Sequence, residues 1–561
     1  MGFFLTGNFE KSLERQGIFL VKNGKEPLKI PVFSAILNWA GLSTTRLRNK
    51  PVSQRDHHAL PEMRNVGVSL KNKFDNRKQD LIRLLPGIVF VFCLAQPLLD
   101  VAGFWQGELG IKTVFTTLIR FGCFAGAALI GFLLTDRKRI YWLLAGVMAL
   151  FAGLRSWALM EAGYSFPAED LMNLLEFYML PVYTLAFCTF ARKNPRVVRA
   201  IAAGLAADLA IVAAVMVLSR LTGTDPYTYP NKQLGVQGWF LYGNPQSAIL
   251  SMLVPVSMGW ALEKWQGKVL PVAGVVLVGE LALYFLGTRL STMAMAASGV
   301  GVAVCLLLID RKRWRQAAAI TLVTVVLTAL IPFSPMVENQ SRQADNFDLK
   351  QQAFDEVAMT DDENADEQTK LDRLVEAYRL YVPGLVTRFG GERTLEAYNY
   401  TTDVNVVGAR RTMRLTFCRL LREDSPASAK WFGMDITRMK VQGVDLNWST
   451  GEMEDMVTSF DPENDFHAVY YLYGAVGLAL ILGFFVYFAG SALLAVFLDF
   501  KRHFTVTFAA LAIGCCCAAA HCVFTASILR FSNSAAYLSL LLAGLWSLSR
   551  RERSAKRMRR N

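Results

Sequence analysis

The sequence predicts an all-α polytopic membrane protein of about twelve transmembrane helices, with one large external loop between the ninth and tenth spans. Three observations lead to this fold class. Hydrophobic residues make up 53% of the chain, and apolar runs of about 20 residues, enough to cross the hydrocarbon layer, recur along it. Short clusters of Lys and Arg alternate with less basic connections. One polar stretch, from Ser334 to His467, interrupts the series.

Composition divides the chain into five parts. A basic extension without a span comes first, and it lacks the apolar core of a secretory signal. Nine spans, the polar loop, three further spans and a basic tail follow. The predicted parts are residues 1–80, 81–333, 334–467, 468–549 and 550–561.

The individual spans are predicted from the apolar runs. In chain order they are Leu81–Trp105, Val114–Leu134, Ile140–Met160, Leu171–Phe190, Ala200–Arg220, Pro245–Leu262, Val269–Leu286, Leu290–Ile309, Gln316–Pro332, Ala468–Phe500, Thr505–Ala526 and Ser532–Leu548. The tenth run is too long for one helix, so we expect its first part to be an interfacial segment.

The basic clusters predict the orientation. They all fall on one side, together with both termini, when twelve spans are counted. The clusters are Asp136–Arg139, Ala191–Arg196, Glu263–Lys268, Asp310–Arg315, Lys501–His503 and Arg550–Arg560. That side is predicted to be the cytoplasm of a bacterium, with the protein in its plasma membrane and the large loop outside.

The same features argue against several other classes of protein. The net charge of +13 is spread over turns between spans and forms no basic face, so we expect no nucleic-acid partner. Eight of the nine cysteines lie in apolar spans, Cys418 is the exception, and there is no CxxC pair. A disulfide framework and a structural zinc site are therefore not expected. No motif for a nucleotide or another cofactor is evident.

The polar loop is too long for a plain connection. Leu371–Leu380 and Arg410–Leu421 have helical periodicity, which predicts a small helical cap. The acidic run Asp361–Glu367 is predicted to be a solvated or mobile segment.

Ionisable residues inside spans are costly and point to function. Arginines concentrate at the predicted outer side, where the positive-inside rule disfavours them: Arg120, Arg155, Arg220, Arg289 and Arg530. A cluster of outer cations would suit an anionic lipid-linked ligand, because the guanidinium group binds phosphate oxygens in a bidentate manner. The alternative for each arginine is snorkelling or a structural ion pair, for instance between Glu280 and Arg120 or Arg155.

Three stretches, in this order, resemble motifs of the bacterial O-antigen ligase and O-antigen polymerase superfamily. They are Leu241–Leu250 (an Asn-x-x-x-x-Ala motif with the Ala one place early), Tyr284–Thr292 (a small-Ser-Arg-small turn with Thr288 for Ser) and Glu463–Gly477 (a His-Asn-x-x-Leu … Gly-x-x-Gly motif). Within the loop, Ala409–Arg414 and Trp431–Met434 resemble the family's arginine helix and Gly-rich segment. Glu463 stands at the position of the family's histidine. An acidic residue at this position resembles the variants found in capsule and exopolysaccharide polymerases.

The resemblance implies a GT-C-like membrane glycosyltransferase. Its donor would be an oligosaccharide on a polyprenyl diphosphate such as undecaprenyl diphosphate, and its acceptor a glycan or lipid hydroxyl. It further implies a leaving diphosphate that arginines stabilise without a metal ion or cofactor. The candidate ligands are Arg289, Arg410, Arg411 and Arg414, to which the outer arginines Arg120 and Arg155 are added.

The general base that deprotonates the acceptor remains open between Glu463, Asp465 and His467. On a helix, Glu463 and His467 would share a face and Asp465 would point away, which favours a Glu463/His467 pair. The alternative is that Asp461-Pro-Glu-Asn caps the helix that follows, with Asp461 as the cap.

We therefore expect a polymerase of lipid-linked repeat units at the outer face of the membrane. The first alternative is a ligase that moves the glycan to a lipid or wall acceptor. From other classes, a transporter or flippase of lipid-linked glycans would show paired halves and helices broken at the midplane, and no repeat is evident. A receptor or assembly subunit with a partner-binding outer loop also fits the composition.

Overall fold

Each of the twelve predicted spans is helical in the computed structural model, which describes residues 60–111, 114–163, 168–358, 366–447 and 452–550. The predicted N-terminal extension up to residue 59, the acidic residues 361–365 and the tail from residue 551 lie outside these ranges. The first nine helices are α1 (Leu60–Glu108), α2 (Val114–Leu134), α3 (Lys138–Glu161), α4 (Ala168–Lys193), α5 (Arg196–Leu221), α6 (Gly243–Lys264), α7 (Val269–Leu286), α8 (Arg289–Ile309) and α9 (Trp314–Ala329).

The large loop folds into short helices and a hairpin, and the chain then returns. The loop elements are α10 (Pro335–Ala358), α11 (Glu367–Tyr381), α12 (Pro383–Phe389), α13 (Gly391–Ala397), α14 (Val404–Val407), α15 (Arg410–Glu423), α16 (Ala427–Phe432), β1 (Lys440–Asn447) and β2 (Glu452–Ser459). The last helices are α17 (Asp465–Leu498), α18 (Phe500–His503), α19 (Val506–Phe524) and α20 (Ser532–Ser549).

The prediction of an all-α polytopic membrane protein is confirmed. Within the described ranges, nine helices are long and apolar enough to cross a membrane. The other three predicted spans, α6, α9 and α20, are helical as well, but α9 is only 16 residues long. The count of twelve crossings therefore stays a prediction. Helix α1 begins 21 residues before the predicted start at Leu81, so it crosses the boundary drawn at residue 80.

Helix α6 lies at the centre of the bundle. Almost every side chain from Pro245 to Leu262 is buried, and the helix packs against α5, α7, α8 and α19. Small residues permit the closest of these approaches. A Cβ added to Gly259 would lie 2.5 Å from the Cβ of Ala510 on α19. The helix has no solvated polar face, because protein surrounds it on every side, and its few polar side chains, such as Ser247 and Ser251, are buried.

Helix alternation gives the bundle two ends. The basic end carries the turns at 135–137, 310–313 and 499–505, and contacts between neighbouring turns hold it together. Lys193 pairs with Asp136 at 2.6 Å, and Arg313 donates to the carbonyl of Leu262 at 2.6 Å. The opposite, loop end carries the large loop with α10–α16 and the hairpin.

The tenth span is interrupted, as its length predicted. Gly474 has φ 70° and ψ −174°, so α17 consists of two helices joined at a kink. The part from Asp465 to Tyr473 lies at the loop end, and the longer part runs towards the basic end. Whether the first part lies in the membrane interface is a prediction that the fold leaves open.

The loop has its own hydrophobic core, formed by residues such as Phe354, Tyr378, Leu395, Phe417 and Phe460, each at most 2% exposed. The two helices predicted from periodicity are confirmed as α11 and α15. The expectation of a purely helical cap is wrong in one respect, because β1 and β2 pair antiparallel, from Lys440 opposite Ser459 to Asn447 opposite Glu452. Two strands of eight residues leave a weak sequence signal, since pairing with a partner stabilises them more than propensity does.

Candidate active site

Helix α15 is docked beside the segment that leads into α17. Phe417 stacks on Phe460 with ring centroids 4.2 Å apart, and the Cys418 thiol lies 3.3 Å from the carbonyl of Phe460. Residues 410, 414, 417/418 and 421 follow helical spacing along one face. The stacking at Phe417 therefore places Arg410 and Arg414 next to the residues after Phe460.

Three arginines of α15 surround the carboxylate of Glu463. Arg410 Nε and Arg414 Nη1 each lie 3.3 Å from Glu463 Oε1, and Arg411 Nε lies 3.7 Å from Oε2. The Glu463 side chain is 26% exposed and that of Arg414 is 13% exposed, whereas Arg410 and Arg411 are more than half exposed. The structure thus brings one predicted base and three predicted phosphate ligands into a single site open to solvent.

A second ion pair, between Arg530 and Asp461, lies next to this cluster. Arg530 Nη1 contacts Asp461 Oδ2 at 2.5 Å, and Arg414 Nη1 donates to the carbonyl of Asp461 at 3.2 Å. Burial by itself would raise the pKa of Asp461, but Arg530, Ser459 and Arg414 outweigh it and lower the pKa to about 2. Burial lowers the pKa of Arg414, and the neighbouring charge of Arg410 adds to that effect. With Glu463 included, the cluster has four arginines and two carboxylates, an excess of two positive charges.

The three candidate bases occupy different environments. Asn464, rather than Asp461, is the N-cap of α17 and accepts from the amide of His467 at 3.0 Å. The alternative that Asp461 caps the helix is therefore wrong, although the cap does come from the Asp461-Pro-Glu-Asn stretch. Glu463 precedes the helix, so it does not share a helical face with His467, and that expectation is wrong too. The cap takes Asn464 because an amide oxygen one residue before the helix reaches the N3 amide directly.

Asp465 and His467 have little in common with Glu463. Asp465 is fully buried and accepts from the amide of Ile528 at 2.9 Å, which anchors the connection between α19 and α20. The imidazole of His467 is exposed and makes no hydrogen bond or ion pair with any residue that the structure describes. Of the three, only Glu463 has contacts to the predicted diphosphate ligands.

Arg289 begins α8 at the loop end. Gly287 ends α7 with φ 71°, and Thr288 and Ser291 form a reciprocal capping box that fixes the start of α8. The guanidinium group of Arg289 is exposed and has no hydrogen-bond or ion-pair partner among the described residues. The Gly287–Arg289 turn, which resembles a small-Ser-Arg-small motif, is thus a rigid turn that presents an arginine without a partner in the described part of the chain, and Thr288 supplies the capping hydroxyl in place of Ser.

A chain of buried polar groups connects the Arg289 turn with the Glu463 cluster. Thr288 Oγ1 lies 2.8 Å from Ser247 Oγ, and Ser251 donates to the Ser247 carbonyl at 2.6 Å. His521 Nε2 lies 3.1 Å from Ser251 Oγ, and its Nδ1 lies 3.2 Å from Thr525 Oγ1.

The end of this chain meets the arginine helix. The carbonyl of Phe524, next to Thr525, accepts a hydrogen bond from Arg411, and that of Val523 accepts one from Asn464. The end of α19 therefore holds both the arginine helix and the cap of α17. Arg289 itself does not contact Glu463, and the two are linked through these side chains.

Arg120 lies in a separate polar cluster. It pairs with Asp100 and donates to Ser532 at 3.4 Å, and Asn533 donates to both oxygens of Asp100 at 3.2 Å. The polypeptide backbone connects this cluster to the Glu463 cluster, because Ser532, which binds Arg120, lies two residues after Arg530. The suggested pairing of Glu280 with Arg120 or Arg155 is wrong, since Glu280 instead accepts from the Thr324 hydroxyl at 2.6 Å.

Arg155 is buried among protein groups. Its side chain is 0% exposed and pairs with Asp170, 1% exposed, at 2.5 Å. Its guanidinium group also donates to the carbonyls of Phe432, Met434 and Leu472. Every one of these contacts is internal, so the structure gives Arg155 a packing role, and its place among the diphosphate ligands stays a prediction without support from exposure.

Two glycines explain why these carbonyls converge on Arg155. Gly433 and Gly474 both have positive φ, 88° and 70°. A Cβ on Gly433 would lie 2.1 Å from the Leu472 carbonyl oxygen, and a Cβ on Gly474 would lie 2.2 Å from that of Trp431. Only glycine combines this backbone conformation with such close contact. The Gly-rich segment of the loop therefore packs directly against the kink in α17.

Sequence reasoning missed two parts of the site. The sequence offers capping as one alternative for Asp461, but its side chain pairs with Arg530, and no local pattern reveals a partner 69 residues away. The second part is His521. A histidine within an apolar run is an ionisable residue inside a span, and such residues point to function. The same criterion that singles out Arg120 and Glu280 would therefore have identified His521.

Comparison with known families agrees with the geometry. A family model described as "O-antigen ligase like membrane protein" matches residues 84–548. No curated protein matches the chain. Because the match covers more than half of the 561 residues, the chain belongs to the O-antigen ligase-like family of membrane proteins. The predicted resemblance is confirmed, and membership of this family indicates a membrane enzyme of polysaccharide biosynthesis.

Proposed function

We propose that this O-antigen ligase-like protein polymerises oligosaccharide repeat units that are carried on a polyprenyl diphosphate such as undecaprenyl diphosphate, at the outer face of the bacterial plasma membrane. The observation that carries the proposal is the contact of Glu463 with Arg410, Arg411 and Arg414. One site then contains a carboxylate for the acceptor hydroxyl and cations for the leaving diphosphate.

The charge of the site favours a polyanion. Four arginines face two carboxylates, and Arg289, which has no partner among the described residues, adds another cation at the same end of the bundle. In the transfer, the bond between the anomeric carbon and the phosphate oxygen breaks, and its electron pair leaves with the diphosphate. Guanidinium groups held in place before the reaction stabilise the charge that develops on that oxygen. The exposed groups of Arg410 and Arg411 are the ones that a membrane-borne diphosphate can reach.

Glu463 is the base in this proposal. The acceptor hydroxyl attacks the anomeric carbon and gives its proton to the Glu463 carboxylate as the new glycosidic bond forms. Without donor, the carboxylate oxygens are occupied by the arginines. A bound diphosphate competes for those arginines, which frees Glu463 for the acceptor only when the donor is in place. Asp465 fits this role less well, because it is fully buried and accepts a hydrogen bond from the amide of Ile528. His467 fits less well because it faces solvent and contacts none of the candidate diphosphate ligands.

Arg289 would hold the donor from the α8 side. Its turn is rigid because Thr288 caps α8 and is hydrogen-bonded to Ser247. The chain through Ser251 and His521 then fixes the spacing between this turn and Arg411. Arg120, paired with Asp100 and partly buried, would act on the donor only by positioning, and Arg155 is left out of the proposed ligand set.

The test is a reconstituted reaction. Purified protein in lipid nanodiscs is given polyprenyl-diphosphate-linked repeat units, and products are separated by chain length. A polymerase makes longer chains that stay on the carrier. A ligase, which the family description also fits, makes no longer chain but transfers glycan when a lipid A core or wall acceptor is added. If neither product forms under any acceptor, the enzyme proposal is wrong. Metal independence is tested by adding EDTA, which should leave the rate unchanged.

A further inference from the structure

A cavity of about 410 Å³ opens between helices at the basic end. It is bounded by the start of α3, the second half of α4, the second half of α17 and the end of α20. Its walls are apolar and aromatic, with Leu144, Val147, Leu185, Phe484 and Trp546 among them. The volume is within the range of small-molecule sites, about 300–1,000 Å³. It exists because α3 is packed loosely against its neighbours, with most of its side chains exposed.

Cations surround the mouth of this cavity. Arg137, Arg192, Lys193 and Arg550 line it, and Asp136 is the one acidic residue in the lining. Asp136 is already neutralised, because Lys193 contacts both of its oxygens at 2.6 Å. The Lys193 hydrogen bonds outweigh partial burial and lower the pKa of Asp136, so the pair is charged at neutral pH.

The remaining cations are available to a ligand. The guanidinium groups of Arg137 and Arg192 are exposed and form no hydrogen bond or ion pair with any side chain in the described ranges. Arg550 is held at the rim by Tyr487, at 2.8 Å, and by stacking on Trp546. An aromatic cradle of this kind orients an arginine without using up its charge.

The site is distinct from the candidate active site. Asp465 lies in the first part of α17, before the kink at Gly474. Phe484 lies ten residues beyond that kink, about 15 Å along a helix with a rise of 1.5 Å per residue. No residue of the Glu463 cluster lines the cavity. A donor bound at the loop end therefore does not account for an apolar cavity with a basic mouth at the opposite end.

We propose that this cavity binds an anionic phospholipid of the leaflet at the basic end. An acyl chain lies between α3, α4 and α17, and the phosphate is held by Arg137, Arg192 and Arg550. The occupant follows from three properties of the cavity: its walls are apolar, it opens among helices long and apolar enough to cross a membrane, and its excess cations lie at the ends of those helices. Cations near a membrane surface attract anionic lipid. The bound lipid fills the gap beside α3 and so stabilises the helix that carries Arg155.

Native mass spectrometry of delipidated protein tests this proposal. Phosphatidylglycerol and phosphatidylethanolamine with the same acyl chains are titrated separately, so that only the headgroup differs. We expect tighter binding of phosphatidylglycerol. Removing two cations with Arg137→Gln/Arg192→Gln should weaken it about 10- to 30-fold, at about three- to fivefold for each cation.

Two further variants separate the site from general attraction to basic turns. Arg311→Gln/Lys312→Gln removes two cations from a basic turn that does not line the cavity and should leave binding unchanged. Leu144→Trp fills the cavity and should abolish tight binding although every cation remains. The proposal is overturned if phosphatidylethanolamine binds equally well, if the control variant loses as much binding as the Arg137/Arg192 variant, or if the Leu144→Trp protein, folded by its melting curve, still binds phosphatidylglycerol tightly. The Arg137 and Arg192 side chains are exposed, so their replacement tests the proposal even if Leu144→Trp does not fold.

Discussion

Arg155 and Asp170 form an ion pair that is closed off from solvent, with their side chains 0% and 1% exposed and 2.5 Å apart. The pair connects α3 and α4 at the loop end, and Arg155 also donates to carbonyls of the Gly-rich segment and of α17. The same arginine thereby connects two membrane helices to the large loop. Arg155 is a candidate ligand by its sequence position, but in the fold it anchors the large loop, which contains the candidate ligands Arg410, Arg411 and Arg414.

We expect Arg155→Met to destabilise the protein by about 3–5 kcal/mol, because it leaves Asp170 buried without its partner. The measurement is the melting curve of the purified protein in detergent. Arg155→Met/Asp170→Asn removes both charges and should recover part of the loss. If Arg155→Met melts as the wild type does and only activity falls, Arg155 belongs to the active site after all.

Glu463→Gln should reduce the rate of glycan transfer by about 10²-fold or more, since general-base catalysis is worth about 10²–10⁴-fold. Lipid-linked donor should still bind, because the arginines remain and have lost a competing carboxylate. The check is a single-turnover assay with a parallel donor-binding titration. Glu423→Gln, an exposed glutamate at the end of the same arginine helix, is the matched control and should keep full activity. Full activity of Glu463→Gln, with Asp465→Asn or His467→Gln inactive, would transfer the role of base to one of those residues.

Arg289→Ala is expected to collapse long polymer to single repeat units on the lipid carrier, with a loss of about 10²–10³-fold in rate, as for other groups that stabilise a developing oxyanion. The glycan profile of cells shows this directly, with membrane insertion checked in parallel. Arg220→Ala is the matched control, because Arg220 is also exposed at the loop end but stacks on Tyr227. Long chains that form and fail to reach an acceptor would identify a ligase. An unchanged profile would make Arg289 structural.

The Asp461–Arg530 pair should persist far into the acid range. The folded pKa of Asp461 is about 2, below its ordinary value of 3.8. Its stabilising contribution is therefore complete above about pH 4 and is lost as the pH falls through 2. Asp461→Asn should lower the melting temperature at pH 7 and pH 5. The difference from the wild type should shrink towards pH 2. A difference that is already lost at pH 5 would show that the pair does not lower the pKa in this way.

Some of the site was predictable from the sequence because local chemistry encodes it. Arg410 and Arg414 share a face with Phe417 and Leu421, so an amphipathic helix that presents arginines follows from spacing alone. The Gly287-Thr-Arg turn was predictable as well, since glycine ends one helix and a hydroxyl residue begins the next. The meeting of these elements was not predictable from spacing, because Glu463 and Arg410 are 53 residues apart and the folded loop brings them together.

By itself, the sequence determined that this is a multi-pass helical membrane protein with one large loop, and that it resembles its family in three ordered motifs. Apolar runs of about 20 residues are long enough to cross a bilayer, and in lipid their backbone N–H and C=O groups must be paired within the segment. A helix is therefore the structure expected for each run. The tertiary structure alone decided what each polar group does. Glu463, Asp465 and His467 are close in sequence, yet the first meets three arginines, the second is buried under Ile528 and the third faces solvent. Burial and partners set the chemistry of a side chain, and both depend on contacts between residues far apart in the chain.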